Sequence, residues 1–272
     1  MDSIRQAIEL AKSGSSAQRL SGFAGAFPDQ LKGATAIDSQ ITDIPLNPAY
    51  LETTRIVAHG GGMSPQGKYY DMLRTQVLQE MDRTGWQFLA VTSATPNCGK
   101  TVTACNLALS IARLPERSVL LVDLDLQKPK VSDYLGLDRQ EGLLSVLEGR
   151  ASLPTKMVQA SIGRSRLLVL PGEVCHSGAS EWMASQMMST LLQAIKREFR
   201  SRIVIFDLPP ILAGDDVISI LPQMDAVLLV AGVGTTSVAD IKECQKHIKT
   251  TPVVRVVVNK VTENANSYRA YY

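Results

Sequence analysis

Gly99, Lys100 and Thr101 close the run Ala94-Thr95-Pro96-Asn97-Cys98-Gly99-Lys100-Thr101, whose residue types suit a polyphosphate. A loop of this kind offers backbone N–H groups and the positive end of a helix dipole to an anion. The lysine supplies a mobile charge for β- and γ-phosphates, and the threonine hydroxyl can ligate Mg2+. The common pattern opens with glycine where Ala94 stands; the closing Gly-Lys-Thr fits. Asn97 tolerates a positive φ better than most residues, which suits a tight loop. A chance Gly-Lys-Thr in a turn is the alternative. Its place between an apolar strand-like run and a helical pattern favours phosphate binding, so Ala94 to Thr101, with Val102 behind them, are the predicted ATP contacts and Thr101 a predicted metal ligand.

Acids and an asparagine recur at the ends of other apolar runs. Asp123-Leu-Asp125-Leu-Gln-Lys-Pro129 directly follows Val119–Val122. Two carboxylates ending a buried strand call for a charged partner or a proton-donating hydroxyl, because unpaired burial is costly. Ile203-Val-Ile-Phe-Asp207-Leu-Pro-Pro210 sets one acid after four apolar residues, and such an acid holds Mg2+ directly or through water. The predicted metal set is thus Thr101, Asp123 and Asp207. Val256-Val-Val-Asn259 ends in an amide that can donate and accept, as an adenine edge requires, although a turn asparagine is nearly as good a reading.

The elements that must carry these groups alternate in type. Apolar runs at 88–92, 119–123, 167–171, 203–207, 226–231 and 253–259 predict strands. Helical patterns at 66–83, from about Lys100, and at 142–148, 181–199, 215–221 and 237–249 separate most of them. Tyr70, Leu73, Val77 and Met81 share one face of the first, which Gly85 stops. Continuous apolar strands between helices predict an α/β fold: a doubly wound, mostly parallel sheet covered on both faces. Ligands of such sheets bind at the carboxyl ends of the strands, where all four groups stand. Residues 2–12 suggest a short amphipathic helix. Residues 13–50, rich in Ser, Gly, Ala and Pro, suggest a flexible arm.

Composition limits the classes. In 272 residues, 45% are hydrophobic and 20% charged, which are globular values. A net charge of +2 and no basic stripe with interleaved aromatics argue against a nucleic-acid partner. The four cysteines show no metal-type pairing, and free thiols fit a reducing compartment. The amino-terminal stretch lacks a signal-peptide core, and Ala226–Ala231 is far too short to span a membrane, so a cytoplasmic location is expected.

Taken together, these motifs resemble those of the bacterial tyrosine kinases (BY-kinases) of the CpsD/CapB type, within the deviant phosphate-loop ATPases related to MinD and ParA. The likeness covers roughly residues 66–272. It implies a P-loop NTPase fold of the MinD/ParA kind over 51–262 and a mobile tyrosine-bearing tail at 263–272. It also implies ATP-dependent tyrosine autophosphorylation that regulates capsule or exopolysaccharide synthesis. By resemblance, Lys100 is the phosphate-binding lysine and Thr101 the magnesium-binding hydroxyl. Asp123 and Asp125 match a pair of which one acid assists the metal and the other orients or deprotonates the tyrosine hydroxyl. Asp207 matches the acid of the Asp-x-Pro-Pro segment. Leu170-Pro-Gly-Glu and Asp215-Asp216 fall where the family has similar segments. Tyr268, Tyr271 and Tyr272 resemble the family's phosphoacceptor cluster. Implied partners are copies of the chain itself, in a ring or dimer, and a membrane chain-length-determinant protein that activates the kinase and recruits it to the inner face of the cell membrane.

The sequence also departs from the family. Asn97-Cys98 replace the usual Gly-Glu, and Gln127 replaces an arginine. Lys68, Asp71 and Arg74 stand where the ring-forming helix has Glu-x-x-Arg-x-x-Arg, so two charges are reversed. Two rivals therefore stay open: a MinD/ParA-like ATPase switch, which would normally carry an early-loop lysine that Ala94-Thr-Pro lacks, and a non-catalytic scaffold.

Overall fold

The computed structural model describes residues 41–138, 141–200, 202–249 and 251–261. The helix expected at 2–12, the arm up to residue 40 and the tail at 263–272 lie outside the described residues. The strands are β1 (Thr42–Pro45), β2 (Phe88–Ser93), β3 (Ser118–Asp123), β4 (Val158–Ile162), β5 (Ser165–Leu170), β6 (Arg202–Asp207), β7 (Ala226–Gly232) and β8 (Val253–Asn259). The helices are α1 (Pro48–Thr53), α2 (Pro65–Thr84), α3 (Lys100–Ala112), α4 (Val131–Leu135), α5 (Leu143–Leu147), α6 (Leu153–Lys156), α7 (Ala179–Met183), α8 (Gln186–Glu198), α9 (Asp216–Ile220) and α10 (Val238–His247).

One eight-stranded sheet runs β1-β4-β5-β3-β6-β2-β7-β8. Its strands from β5 to β8 are parallel; β4 is antiparallel to β5, and β1 is parallel to β4. Strands β2 and β7 are buried along their whole length, as the unbroken apolar runs require of a sheet covered on both faces. Helix α2 is bounded as its sequence asks. Ser64 accepts a hydrogen bond from Gly67 N at 2.9 Å, Pro65 takes the first turn, and Gly85 ends the helix at φ 73°. Its Val77 and Met81 are buried with Leu78, and Tyr70 and Leu73 pack against the same core. Helix α3 is buried on nearly every side from Thr103 to Ala112.

Several elements differ from the sequence expectation. Residues 42–50, expected in the arm, supply β1 and the start of α1, whose first turn is capped by the Asn47 side chain, which accepts from Ala49 N at 3.0 Å. Leu51 then buries completely. Strands β1 and β4 escaped detection because both are partly exposed and carry Thr-Asp-Ile-Pro and Val-Gln-Ala-Ser-Ile, not continuous apolar runs. The single helix expected at 181–199 is two, α7 and α8. Ser185 separates them, its hydroxyl accepting from Met188 N at 3.1 Å as an N-cap.

Candidate functional site

The strand order brings the expected groups together. β3, β6 and β2 are neighbours, and Asp123 is the register partner of Asp207. The loop after β2 therefore faces both acids from the adjacent strand. In that loop Asn97 (φ 62°) and Gly99 (φ 88°) are left-handed, which asparagine and glycine tolerate and bulkier residues do not. Gly99 is also the residue before α3, so Lys100 and Thr101 open a buried helix with its N-terminus at the strand ends.

Lys100 is held among carboxylates. Its Nζ lies 2.9 Å from Asp125 Oδ2 and 3.6 Å from Asp207 Oδ2. Burial alone would discourage its charge, but Asp207 and Asp125 outweigh it and hold the ammonium's pKa above the ordinary lysine value. The Thr101 hydroxyl donates to Asp207 Oδ2 at 2.7 Å. Asp207 is buried, and burial raises its pKa against the opposing pull of Lys100 and Thr101. Its Oδ1 is the one buried side-chain oxygen or nitrogen among the described residues without a hydrogen-bond partner.

Asp123 is placed differently. Its Oδ1 accepts from Asp125 N at 3.1 Å, and its Oδ2 accepts from Lys130 N at 2.9 Å and Val131 N at 3.0 Å. Burial, then the nearby Asp207 charge, pushes its pKa up to about 8 despite those amides. Both oxygens thus organise the loop 124–131. The carboxylate also lines a cavity of about 170 Å3 with Pro129, Ser132 and Gly172. A Cβ on Gly172 would stand 2.6 Å from Pro129 Cβ and 2.9 Å from Asp123 Cγ, so only glycine fits there.

These residues fit a magnesium ion. The unpartnered Asp207 Oδ1 beside the Thr101 hydroxyl gives the hard oxygen donors that Mg2+ prefers. Among the described residues no cluster of three His, Cys, Asp or Glu is arranged around a metal position. Phosphate oxygens and water would then have to supply the rest of the shell, as is usual for Mg2+ at nucleotide sites.

Several partners were not foreseen. Asn259 does not present a free amide: its Nδ2 donates to Cys98 O at 3.0 Å and its Oδ1 accepts from Lys260 N at 2.8 Å. The turn after β7 also reaches the loop. Thr95 Oγ1 donates to Thr235 O at 3.1 Å, and the Cys98 thiol lies 3.2 Å from Thr236 Oγ1. Burial alone would push that thiol up, but the Thr236, Thr95 and Thr235 hydroxyls bring it down to about 7. Gly232-Val-Gly-Thr-Thr-Ser237 is legible as a turn at a strand end, but only strand order puts it beside the loop. Gln127 donates to Asp216 Oδ2 at 2.7 Å, and Ser180 Oγ donates to Asp216 Oδ1. Asp71 Oδ1 accepts from Arg113 Nη1 and Ser110 Oγ, both at 2.7 Å, and from Arg74 Nη1 at 3.2 Å. The charges of Asp71 and Arg74 therefore join α2 to α3 inside the chain.

Known proteins place this geometry. The family model described as the CobQ/CobB/MinD/ParA nucleotide binding domain matches residues 89–272. The tyrosine-protein kinase YwqD of Bacillus subtilis is 30% identical over 220 residues, 80% of this chain and 90% of that protein. The putative tyrosine-protein kinase EpsB of Ralstonia nicotianae is 31% identical over 201 residues, 74% of this chain but only 26% of its own length. The crystal structure of the VpsO kinase domain superposes with a TM-score of 0.62 at 26% identity, covering 72% of this chain and 98% of that one. Among the described residues no helix is long and apolar enough to cross a membrane. On these matches, and on a Gly-Lys-Thr loop set against two strand-end acids, the chain belongs to the CobQ/CobB/MinD/ParA nucleotide-binding domain family and, within it, to the bacterial tyrosine-protein kinases.

Proposed function

We propose that this chain is an Mg-ATP-dependent protein-tyrosine autokinase that regulates capsule or exopolysaccharide polymerisation and export. The observation that carries the reading is the position of Lys100 between Asp125 and Asp207, with Asp207 Oδ1 left without a protein partner. A triphosphate entering at the α3 N-terminus would draw the Lys100 ammonium toward its β- and γ-phosphates. Asp125 Oδ2, now paired with Lys100 at 2.9 Å, would then be free to take a proton. The phenolic oxygen of a tyrosine attacks the γ-phosphorus as the bond to the β–γ bridging oxygen breaks. ADP leaves with that electron pair, and the phenolic proton passes to the carboxylate. Mg2+ held by Thr101 and Asp207 would neutralise charge on the phosphate oxygens. Asp123 serves this step by holding Asp125, Lys130 and Val131 in place through their amides.

The acceptors are Tyr268, Tyr271 and Tyr272, reached from a neighbouring copy. Each phosphate adds about −1.5 to −2 charge, so a phosphorylated tail repels itself and any acidic surface nearby and loosens the assembly. EpsB is much longer than this chain. A separate membrane chain-length-determinant protein would supply activation and recruitment to the inner face of the membrane. The test is phosphotyrosine formation by the purified chain with Mg-ATP. Wild type should become phosphorylated and Lys100→Met should not. Equal phosphotyrosine in both would overturn the proposal, and ATP hydrolysis without phosphotyrosine would favour an ATPase switch.

A further inference from the structure

Between the loops that follow β3 and β5 lies a cavity of about 170 Å3. Asp123, wholly buried, forms its inner end, and Val174, 40% exposed, stands at its mouth. Pro129 and Gly172 join Val174 in an apolar wall. An apolar cavity of roughly 150 Å3 holds a benzene ring, so one aromatic side chain fits here. Carbon walls with a carboxylate at the inner end suit a phenol, which has an apolar body and a polar tip. Among the described residues lining the cavity none is lysine or arginine, and Asp133 and Glu173 add two more acids, so it is not built for an anion.

The walls are held in place. Cys175 N donates to Leu126 O at 2.8 Å and joins the two loops, while Leu143 N donates to Pro171 O at 2.9 Å. Lys130 N and Val131 N bind the Asp123 carboxylate from the other side. Gly172 keeps the space open, because a Cβ there would press on both Pro129 and Asp123. The sheet order then fixes where the cavity lies. From the loop after β2, the strand ends run through Asp207 on β6 and Asp123 on β3 to Gly172 after β5. The cavity is therefore across the two acids from the phosphate-binding loop. In-line phosphoryl transfer sets the nucleophile and the leaving group on opposite sides of the phosphorus. With ADP kept at the loop, the attacking hydroxyl has to come from the cavity's side.

We infer that this cavity is the acceptor pocket, seating the phenol side chain of the tyrosine to be phosphorylated, its ring against Pro129 and Val174 and its hydroxyl at Asp123. This rests on the proposal that the chain is a tyrosine autokinase. Asp125, whose amide is bound to Asp123 Oδ1, stands next to that hydroxyl. A serine or threonine hydroxyl, on a much shorter side chain, stops near the mouth, so the depth of the cavity selects tyrosine.

The experiment uses the full chain with Tyr268, Tyr271 and Tyr272 changed to Phe, so that phosphate passes only to an added peptide of residues 264–272. Val174→Trp closes the mouth at an exposed position, and Val174→Ala widens it. Unfolding midpoints are followed alongside. Val174→Trp should raise KM for the peptide at least roughly tenfold and leave KM for ATP within about twofold, with Val174→Ala costing a few-fold. Uptake of N-acetyltyrosinamide, read by saturation-transfer NMR without nucleotide, should be lost in Val174→Trp, and N-acetylserinamide should not be taken up by either chain. Peptide KM and N-acetyltyrosinamide uptake both unchanged in Val174→Trp would overturn the inference. KM for ATP raised as much as KM for the peptide, or a lowered unfolding midpoint, would overturn it in favour of a structural role for the loop. A chain with Val174 intact that takes up N-acetyltyrosinamide but phosphorylates no peptide would remove the kinase reading itself, an outcome distinct from phosphorylation that Val174→Trp leaves untouched.

Discussion

The ammonium of Lys100 and the carboxylate of Asp125 form a 2.9 Å ion pair between the first residue of α3 and the loop after β3. Both side chains are largely shielded from solvent. A triphosphate bound as proposed would therefore compete with Asp125 for one cation. Asp125→Asn should remove the competitor and tighten ATP binding a few-fold, while slowing phosphoryl transfer because the proton acceptor is gone. Equilibrium ATP titration and single-turnover transfer rates check the split. Weaker binding with an unchanged rate would contradict it.

Thr101 is tied to Asp207 by a 2.7 Å hydrogen bond to a charged group, which is worth about 1.5–3 kcal/mol. Thr101→Val keeps the shape and removes the hydroxyl. The gain in ATP affinity on adding Mg2+ should fall at least about tenfold, with metal-free binding nearly unchanged and Thr101→Ser close to wild type. Titrations with and without Mg2+ decide this. An undiminished Mg2+ effect in the valine variant would show that the hydroxyl is not a ligand.

Gln127 donates to a buried carboxylate, Asp216, at 2.7 Å. Gln127→Ala should cost about 1 kcal/mol, because Asp216 loses a donor and keeps Ser180. Gln127→Arg should hold or raise stability, since its guanidinium can donate to the same oxygens with a charge. Chemical denaturation measures both. A destabilising arginine would show that the pocket is shaped for the neutral side chain.

Glu173 caps the start of α5. Its Oε2 accepts from Ser145 Oγ at 2.7 Å, Ser145 N at 3.0 Å and Gly142 N at 3.1 Å. Burial raises its pKa, but those donors outweigh it and hold the carboxyl below the ordinary glutamate value. A carboxyl lowered on folding contributes stability above its unfolded pKa, about 4.3, and loses that contribution as pH falls through the lower folded value. Glu173→Gln should therefore be less stable than wild type at pH 7, with the gap closing below about pH 4. Urea midpoints across that range check the sign. A gap that widens in acid would contradict it.

The parts of the site that were legible in the sequence are those a single strand carries by itself. Asp123 and Asp207 each follow an uninterrupted apolar run, and burial on both faces of a parallel strand makes such runs visible. Asn259 follows the short run Val256-Val-Val on the edge strand β8, which is largely exposed. Gly99-Lys100-Thr101 was legible because it joins a strand to a helix. What escaped depends on which strands are neighbours. Nothing local to Thr235, Thr236 or Asp216 shows that they meet Cys98 or Gln127. β1, at the sheet edge, and β4 beside it escaped because half-exposed strands carry mixed residues. The break at Ser185 escaped because a serine within a helical pattern differs little from an N-cap until its hydroxyl finds Met188 N.

The most direct test of the central claim is mass spectrometry of the purified chain after incubation with Mg-ATP, compared with the chain in which Tyr268, Tyr271 and Tyr272 are changed to Phe. Phosphate on those tail tyrosines, absent from the triple variant, is the result expected of a tyrosine autokinase. A chain that hydrolyses ATP but leaves its tail unmodified would contradict it.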